Sequence, residues 1–255
     1  MSTSQDYPDA TESTGNRSSR RAYELIRSAL RTGDIRSDRD LSAASLVRRT
    51  GVSRQAVASA VDRLVHQGLI RPTTKLGKSP AAVMLQLSVD DFVPNSQRKT
   101  LPWPDSSNLQ IALLEHRMVQ STPVIRERMR TSADYVLMVE GLGRVGKEVV
   151  VITVGYYAEP NPDEIIRRSI ECTGLVPMLP LAEWFSTLFD VPFGRCDTTI
   201  EAVRSDAVTT RQLGVAEGSV ALLRESLLVD ADGRPRCLSY SHYRADRVSL
   251  ADIGD

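Results

Sequence analysis

The chain has 255 residues, 41% of them hydrophobic and 25% charged, with 32 Lys/Arg against 32 Asp/Glu. That is enough for one large domain or two ordinary ones, and it is the balance of a globular protein. No apolar run reaches the ~18 residues of a membrane-spanning helix, and the three cysteines, Cys172, Cys196 and Cys237, are few, odd in number and far apart, which excludes a disulfide scaffold and suits a reducing cytoplasm. The zero net charge conceals an asymmetry: residues 17–80 hold 14 Lys/Arg against 5 Asp/Glu, and residues 81–255 hold 18 against 24. A basic N-terminal module followed by a mildly acidic body suits a polyanionic partner for the first part only.

Residues 1–19 are rich in Ser, Thr and Asp and lack the apolar stretch of a signal peptide, so a disordered tail is expected. In 20–32, Ala22, Leu25, Ile26, Ala29 and Leu30 recur with helical period and Gly33 ends the run. A second helix is expected from Ser42, as N-cap, to Arg49, broken by Thr50-Gly51-Val52. Ser53 caps a third, whose buried stripe is Val57, Ala60, Val61, Leu64 and Val65 and which Gly68 stops. Leu69–Arg71 and Ala82–Leu85 read as two short strands around a loop holding Lys75, Gly77 and Lys78. Three helices with a glycine turn and a basic two-stranded wing make a winged helix-turn-helix over 20–86, a double-stranded DNA reader. Its third helix leaves Arg54, Gln55, Ala58, Ser59 and Asp62 on the open face. Arg54 suits guanine or a phosphate, and Gln55 adenine. Ser42, Arg49, Ser53 and Ser59 are further candidate contacts, with Lys75 and Lys78 reaching the flanking backbone.

Residues 87–108, with Pro94, Pro102 and Pro104, form a linker by composition. The second domain, 109–250, contains a weak internal repeat. A helix from Thr122-Pro123, a strand at Tyr135–Gly141, a hairpin at Gly146 and a strand at Glu148–Tyr157 are followed by a helix at Ser205–Leu213, a strand at Val220–Val229, a turn at Asp232-Gly233 and a strand at Pro235–Tyr243. Gly146 and Gly233 are 87 residues apart, as are Tyr156 and Tyr243. Two more helices are expected at Pro162–Ile170 and Pro180–Phe189. The fold class is therefore α+β: a winged helix-turn-helix joined to an antiparallel sheet with flanking helices. His66, His116 and His242 are scattered without metal-ligand spacing. Gly141-Leu142-Gly143-Arg144-Val145-Gly146 spells a dinucleotide fingerprint but sits on a hairpin, not between strand and helix. No catalytic residue, cofactor or metal site is expected, and the chain does not read as an enzyme.

Gly51-Val52-Ser53-Arg54, then Val57, Leu64 and Gly68-Leu69-Ile70, resemble the winged helix of the GntR family of bacterial regulators. Gln212-Leu213-Gly214-Val215, Gly218, Leu222-Leu223-Arg224, Asp230–Pro235, Ser239 and Tyr243–Arg247 resemble the UTRA effector-binding domain that defines its HutC branch, whose fold is chorismate-lyase-like. The resemblance implies a homodimeric transcriptional repressor on a pseudo-palindromic operator, with a small-molecule effector. Where relatives place DNA-contacting Arg, this chain has Ala44 and Ala58. Where sugar-phosphate-binding relatives carry two Arg before the first hairpin, the nearest residues are Glu140 and Leu142. The Glu that follows the second hairpin's Pro is Cys237, and Tyr243 is kept. Glu140, Leu142, Cys237 and Tyr243 are thus the implied effector site, and its carboxylate points to a neutral or cationic effector, not a phosphorylated one. The alternative is an effector-independent repressor of plasmid-transfer or maintenance genes whose second domain only dimerises.

Overall fold

Ala22, Ile26 and Leu30 repeat every fourth residue, and that stripe seats helix α1 (Ala10–Thr32) against α2 (Ala43–Thr50) and α3 (Arg54–His66). The computed structural model describes residues 10–35, 37–72, 78–80, 85–88, 109–159, 161–173 and 180–251, which fall into two compact units, 10–80 and 85–251.

In the first unit the α1 stripe packs with Leu46 from α2 and Ala56, Val57, Ala60, Val61 and Leu64 from α3. Both short helices are started by serine. The Ser42 hydroxyl accepts from Ser45 N at 3.4 Å and the Ser53 hydroxyl from Ala56 N at 3.3 Å, each satisfying an amide that the helix leaves unpaired. Gly51, at φ +67°, makes the turn between them. Tyr23 clasps the far end of α3: its hydroxyl donates to Gln67 Oε1 at 2.9 Å, and Arg63 lies 4.2 Å over its ring. Strands β1 (Ile70–Pro72) and β2 (Lys78–Pro80) pair antiparallel, Ile70 opposite Pro80.

Two sequence expectations shift here. Helix α1 begins at Ala10, inside the segment expected to be a disordered tail; once the buried stripe has nucleated the helix, adding turns is cheap. The strand that pairs with β1 is Lys78–Pro80, which moves Lys78 out of the loop and onto a strand. Leu85 instead opens β3 (Leu85–Ser88), which belongs to the second unit and runs parallel to its last strand, Leu85 opposite Val248. Lys75, Gly77, residues 82–84 and all but Leu87 and Ser88 of the expected linker lie outside the described residues.

The second unit is a six-stranded antiparallel sheet. In chain order its elements are β4 (Leu109–Gln120), α4 (Pro123–Met129), β5 (Tyr135–Val145), β6 (Glu148–Tyr157), α5 (Pro162–Thr173), α6 (Leu181–Phe189), β7 (Phe193–Arg204), α7 (Ala207–Leu213), β8 (Val220–Asp230) and β9 (Pro235–Arg244), with β10 (Val248–Ala251) pairing to β3. The strand order β4-β5-β6-β9-β8-β7 places the two copies of a strand–helix–strand–strand repeat back to back. At the join, Thr153 pairs with Ser241 and Val154 with Tyr240. A shift of 87 residues carries one pair onto the other, so a local two-fold axis passes between them. Helix α4 packs over β9 and α7 over β6, so each copy's helix covers the other copy's central strand. Helices α5 and α6 cover the opposite face through Ile165, Leu181, Phe185, Leu188 and Phe189. Among the described residues no helix is long and apolar enough to cross a membrane.

The turn between β8 and β9 is held by one carboxylate. Asp230, 3% exposed, accepts from the backbone amides of Asp232 (3.0 Å) and Arg234 (2.8 Å) and from Arg236 Nε (2.8 Å), while Arg236 also reaches Glu159 at 2.9 Å. Gly194 on β7 backs this turn, because a Cβ there would collide with the Asp230 carbonyl. Burial alone would raise the Asp230 carboxyl; the Arg234 amide and the Arg236 guanidinium outweigh it and hold the group below the ordinary carboxylate range. Asp230→Asn is expected to lower the unfolding free energy at pH 7 by about 3 kcal/mol, since it leaves Arg236 short of its partner. A depressed carboxylate stabilises the fold above its unfolded pKa of about 3.9 and loses that contribution as pH falls through the folded value. The gap between wild-type and variant urea midpoints should therefore be full at pH 7 and narrowed at pH 3.

Candidate functional site

Each unit presents one candidate site. In the first, burial of Val57, Ala60, Val61 and Leu64 turns Arg54, Gln55, Ala58, Ser59 and Asp62 outward, and all five are exposed. Arg54 and Gln55 lie in the first turn of α3, which carries no acid, at the positive end of the helix dipole. The Ser42 and Ser53 side chains are spent as caps, yet each hydroxyl keeps a proton to donate outward. Arg49 differs from expectation. Its guanidinium donates to the Asp34 carbonyl at 2.8 Å and pairs with Asp40 at 3.3 Å, so it braces the loop between α1 and α2. Arg48, also in the last turn of α2, is exposed. His66 folds back on its own helix, donating from Nδ1 to the Asp62 carbonyl at 2.9 Å.

The second site is a cavity of about 170 Å³ between the sheet and helices α5 and α6. Its floor is the join of the two repeat copies. On β6 and β9 the pairs Val151–Tyr243, Thr153–Ser241, Gly155–Ser239 and Tyr157–Cys237 lie side by side, and all eight residues line it. Leu109, Ile111 and Leu113 from β4, Val139 and Gly141 from β5, and Leu228 from β8 extend the floor; Ser169, Cys172, Leu181 and Trp184 form the roof. The recess exists because Gly141, Thr153, Gly155, Ser239 and Ser241 stand where a buried strand usually carries Val, Ile or Leu. At its centre Thr153 Oγ1 and Ser241 Oγ share a hydrogen bond of 2.9 Å. No charged side chain lines the cavity among the described residues. Burial pushes the Tyr157 phenol well above its ordinary value and the Cys237 thiol up to about 12, so both stay neutral near pH 7 and Cys237 is not a reactive thiolate. Burial also raises Tyr243, against the opposing pull of the Arg224 guanidinium. Among the described residues no three His, Cys, Asp or Glu side chains converge as metal ligands.

Of the four residues expected at an effector site, the structure brings two together. Cys237 and Tyr243 line the cavity; Glu140 and Leu142 do not. Strand β5 alternates, so Val139 and Gly141 face the cavity while Glu140 and Leu142 face the side covered by α4 and α7. There Glu140 Oε1 accepts from Gln212 Nε2 of α7 at 2.9 Å, and Leu142 is buried at 7% exposure. Glu140 therefore brings no carboxylate to this cavity. The Thr153–Ser241 and Gly155–Ser239 pairs were missed, although small residues on alternate positions of two repeat-related strands were visible in the sequence. Glu140→Ala is expected to lower stability by about 1 kcal/mol through the lost α7 contact, read as a shift in urea midpoint, and to leave any binding in the cavity unchanged.

Comparison with known proteins gives this geometry a family. The UTRA domain matches residues 106–249, which hold the whole six-stranded sheet and the cavity. The MarR family matches residues 35–75, from the loop after α1 through β1; the resemblance drawn from the residues had pointed to the GntR winged helix. No curated protein matches the chain. Among solved structures, PhnF from Mycobacterium smegmatis superposes with a TM-score of 0.55 at 16% identity, covering 84% of this chain and 90% of its own. A possible transcriptional regulator, YydK from Bacillus subtilis, superposes with a TM-score of 0.50 at 15% identity, covering 93% and 99%. At such identities these two show a shared fold. The UTRA match spans more than half of the sequence and contains every strand of the sheet, and the protein belongs to the UTRA-domain family.

Proposed function

We propose that the protein is a DNA-binding transcriptional regulator of GntR type, in the HutC branch, acting in the cytoplasm as a repressor whose operator affinity responds to a small molecule held by the UTRA domain. The observation that carries this reading is the outward face of α3. Arg54, Gln55 and Ser59 are exposed on one side of a serine-capped helix in a unit with a strong basic excess, and the same chain carries a ligand-sized cavity. An α-helix fits the major groove, and its first-turn Arg and Gln have the donor geometry for guanine and adenine edges. Ala44 and Ala58 are exposed where relatives place Arg, so Arg54 and Gln55 carry more of the base reading. The helix-turn-helix, the resemblance to the HutC branch and the two-fold character of such operators support binding as a homodimer to a pseudo-palindromic site. Effector control requires that the small molecule bind more tightly to the arrangement with lower DNA affinity.

A gel-shift assay with genomic fragments tests the reading: one fragment should be retained in preference to the rest, and uniform retention of all would count against it. Arg54→Ala is expected to weaken binding to that fragment by ~1–3 kcal/mol and to relax one base preference; an equal loss on random DNA would make Arg54 a phosphate contact. Lys78→Ala should weaken binding to both DNAs and reduce the slope of log affinity against log salt by about 1, measured by fluorescence anisotropy. An unchanged slope would remove the wing from the interface.

A further inference from the structure

Resting on the reading that the UTRA domain takes an effector, we propose that the cavity binds an uncharged, largely apolar molecule about one aromatic ring in size that carries a single hydroxyl or carbonyl group. Size is set by the volume. A cavity of about 170 Å³ is close to the ~150 Å³ that accommodates benzene in an engineered apolar site, room for one ring.

Neutrality follows from the lining. Leu109, Ile111, Val139, Val151, Leu181 and Leu228 give apolar walls, and no Lys, Arg, Asp or Glu lines the cavity among the described residues. The buried Arg224 stands beside Ser241 in register on β8, but its Nε donates to Ser226 Oγ at 3.2 Å and it interacts with the Tyr243 phenol. It stands on the same face of the sheet as Ser241 but is not among the lining residues, and its guanidinium is engaged by Ser226 and the Tyr243 phenol. Tyr157 and Cys237 are protonated, so neither supplies an anion to a cationic guest. A charged ligand would lose its hydration without a partner, which costs several powers of ten in affinity.

The polar group is placed by the floor. Thr153 and Ser241 use one hydrogen bond on each other, and each hydroxyl retains capacity for a second. With Ser239 beside them, they form one polar patch in an otherwise apolar recess. A ring stacked toward Trp184 and Tyr157 would set its hydroxyl or carbonyl on that patch.

The test uses the full-length chain with Trp103→Phe, which leaves Trp184 as the sole tryptophan. Its fluorescence and melting temperature are followed against p-cresol and benzyl alcohol, and against benzoate and phenyl phosphate as charged probes of the same ring. The expected result is a saturable change in Trp184 emission and a rise in melting temperature with the neutral pair, and binding on the order of 100-fold weaker or absent with the anions. Ser239→Phe, which fills the recess, should abolish the response while leaving gel-shift activity intact. Tighter binding of the anions would overturn the ligand class and leave the regulator reading standing. Silence with all four probes, in a protein that still retains its DNA fragment, would overturn the ligand class and remove the support for effector control. Loss of DNA selectivity alone would sink the regulator reading without touching the cavity result.

Discussion

The pairing of β6 with β9 is the constraint on which the second unit depends. It joins the two repeat copies, and its register decides which side chains meet on each face of the sheet. With Thr153 opposite Ser241, the small and hydroxyl-bearing residues of both strands fall together under α5 and α6. A slip of one residue would turn Val154, Tyr240 and His242 into that space and expel the hydroxyl pair. The same alternation places Glu140 under α7 rather than in the cavity. The local two-fold axis between Thr153–Ser241 and Val154–Tyr240 also explains why α4 and α7 each pack on the other copy's central strand: neither copy buries its own helix, so neither is complete alone.

The first unit rests on simpler physics. Two serines cap two short helices, a glycine in the left-handed region turns the chain between them, and one apolar stripe from each helix closes the core. Because α3 buries Val57, Ala60, Val61 and Leu64, its remaining positions have no freedom but to face outward. The outward set is short-sided, Arg54, Gln55, Ser59 and Asp62, and any base recognition has to be built from it. Arg49, on α2, is held by the Asp34 carbonyl and the Asp40 carboxylate and braces the loop between α1 and α2.

Sequence periodicity was informative where one residue pattern has one structural answer. The caps at Ser42 and Ser53, the helix stop at Gly68, the hairpins at Gly146 and Gly233, and the repeat spacing of 87 residues all depend on local chemistry that any chain must obey. The edge strands β4 and β7 were not legible. Leu109–Gln120 carries a run of apolar residues without alternation, and Phe193–Arg204 is largely polar because an edge strand is solvated on much of its surface. Strand β3, Leu85–Ser88, was not legible either: its first residue was read as the end of a wing strand and its last two as linker, and only the parallel contact with Val248–Ala251 defines it.

The sequence by itself determined the α+β class, the winged helix, the residues on the open face of α3 and the repeat that becomes the sheet, since each follows from contacts within a few residues or from a recognisable motif. What only the tertiary structure decided was the content of the cavity. Its lining comes from seven elements brought together by strand register, and register is set by pairing between residues up to about ninety positions apart. Cys237 and Tyr243 were identifiable from their motif, but whether Glu140 or Gly141 faces them turns on a single step of β5 alternation, which no local signal records. That step puts a glycine rather than a carboxylate in the lining of the cavity.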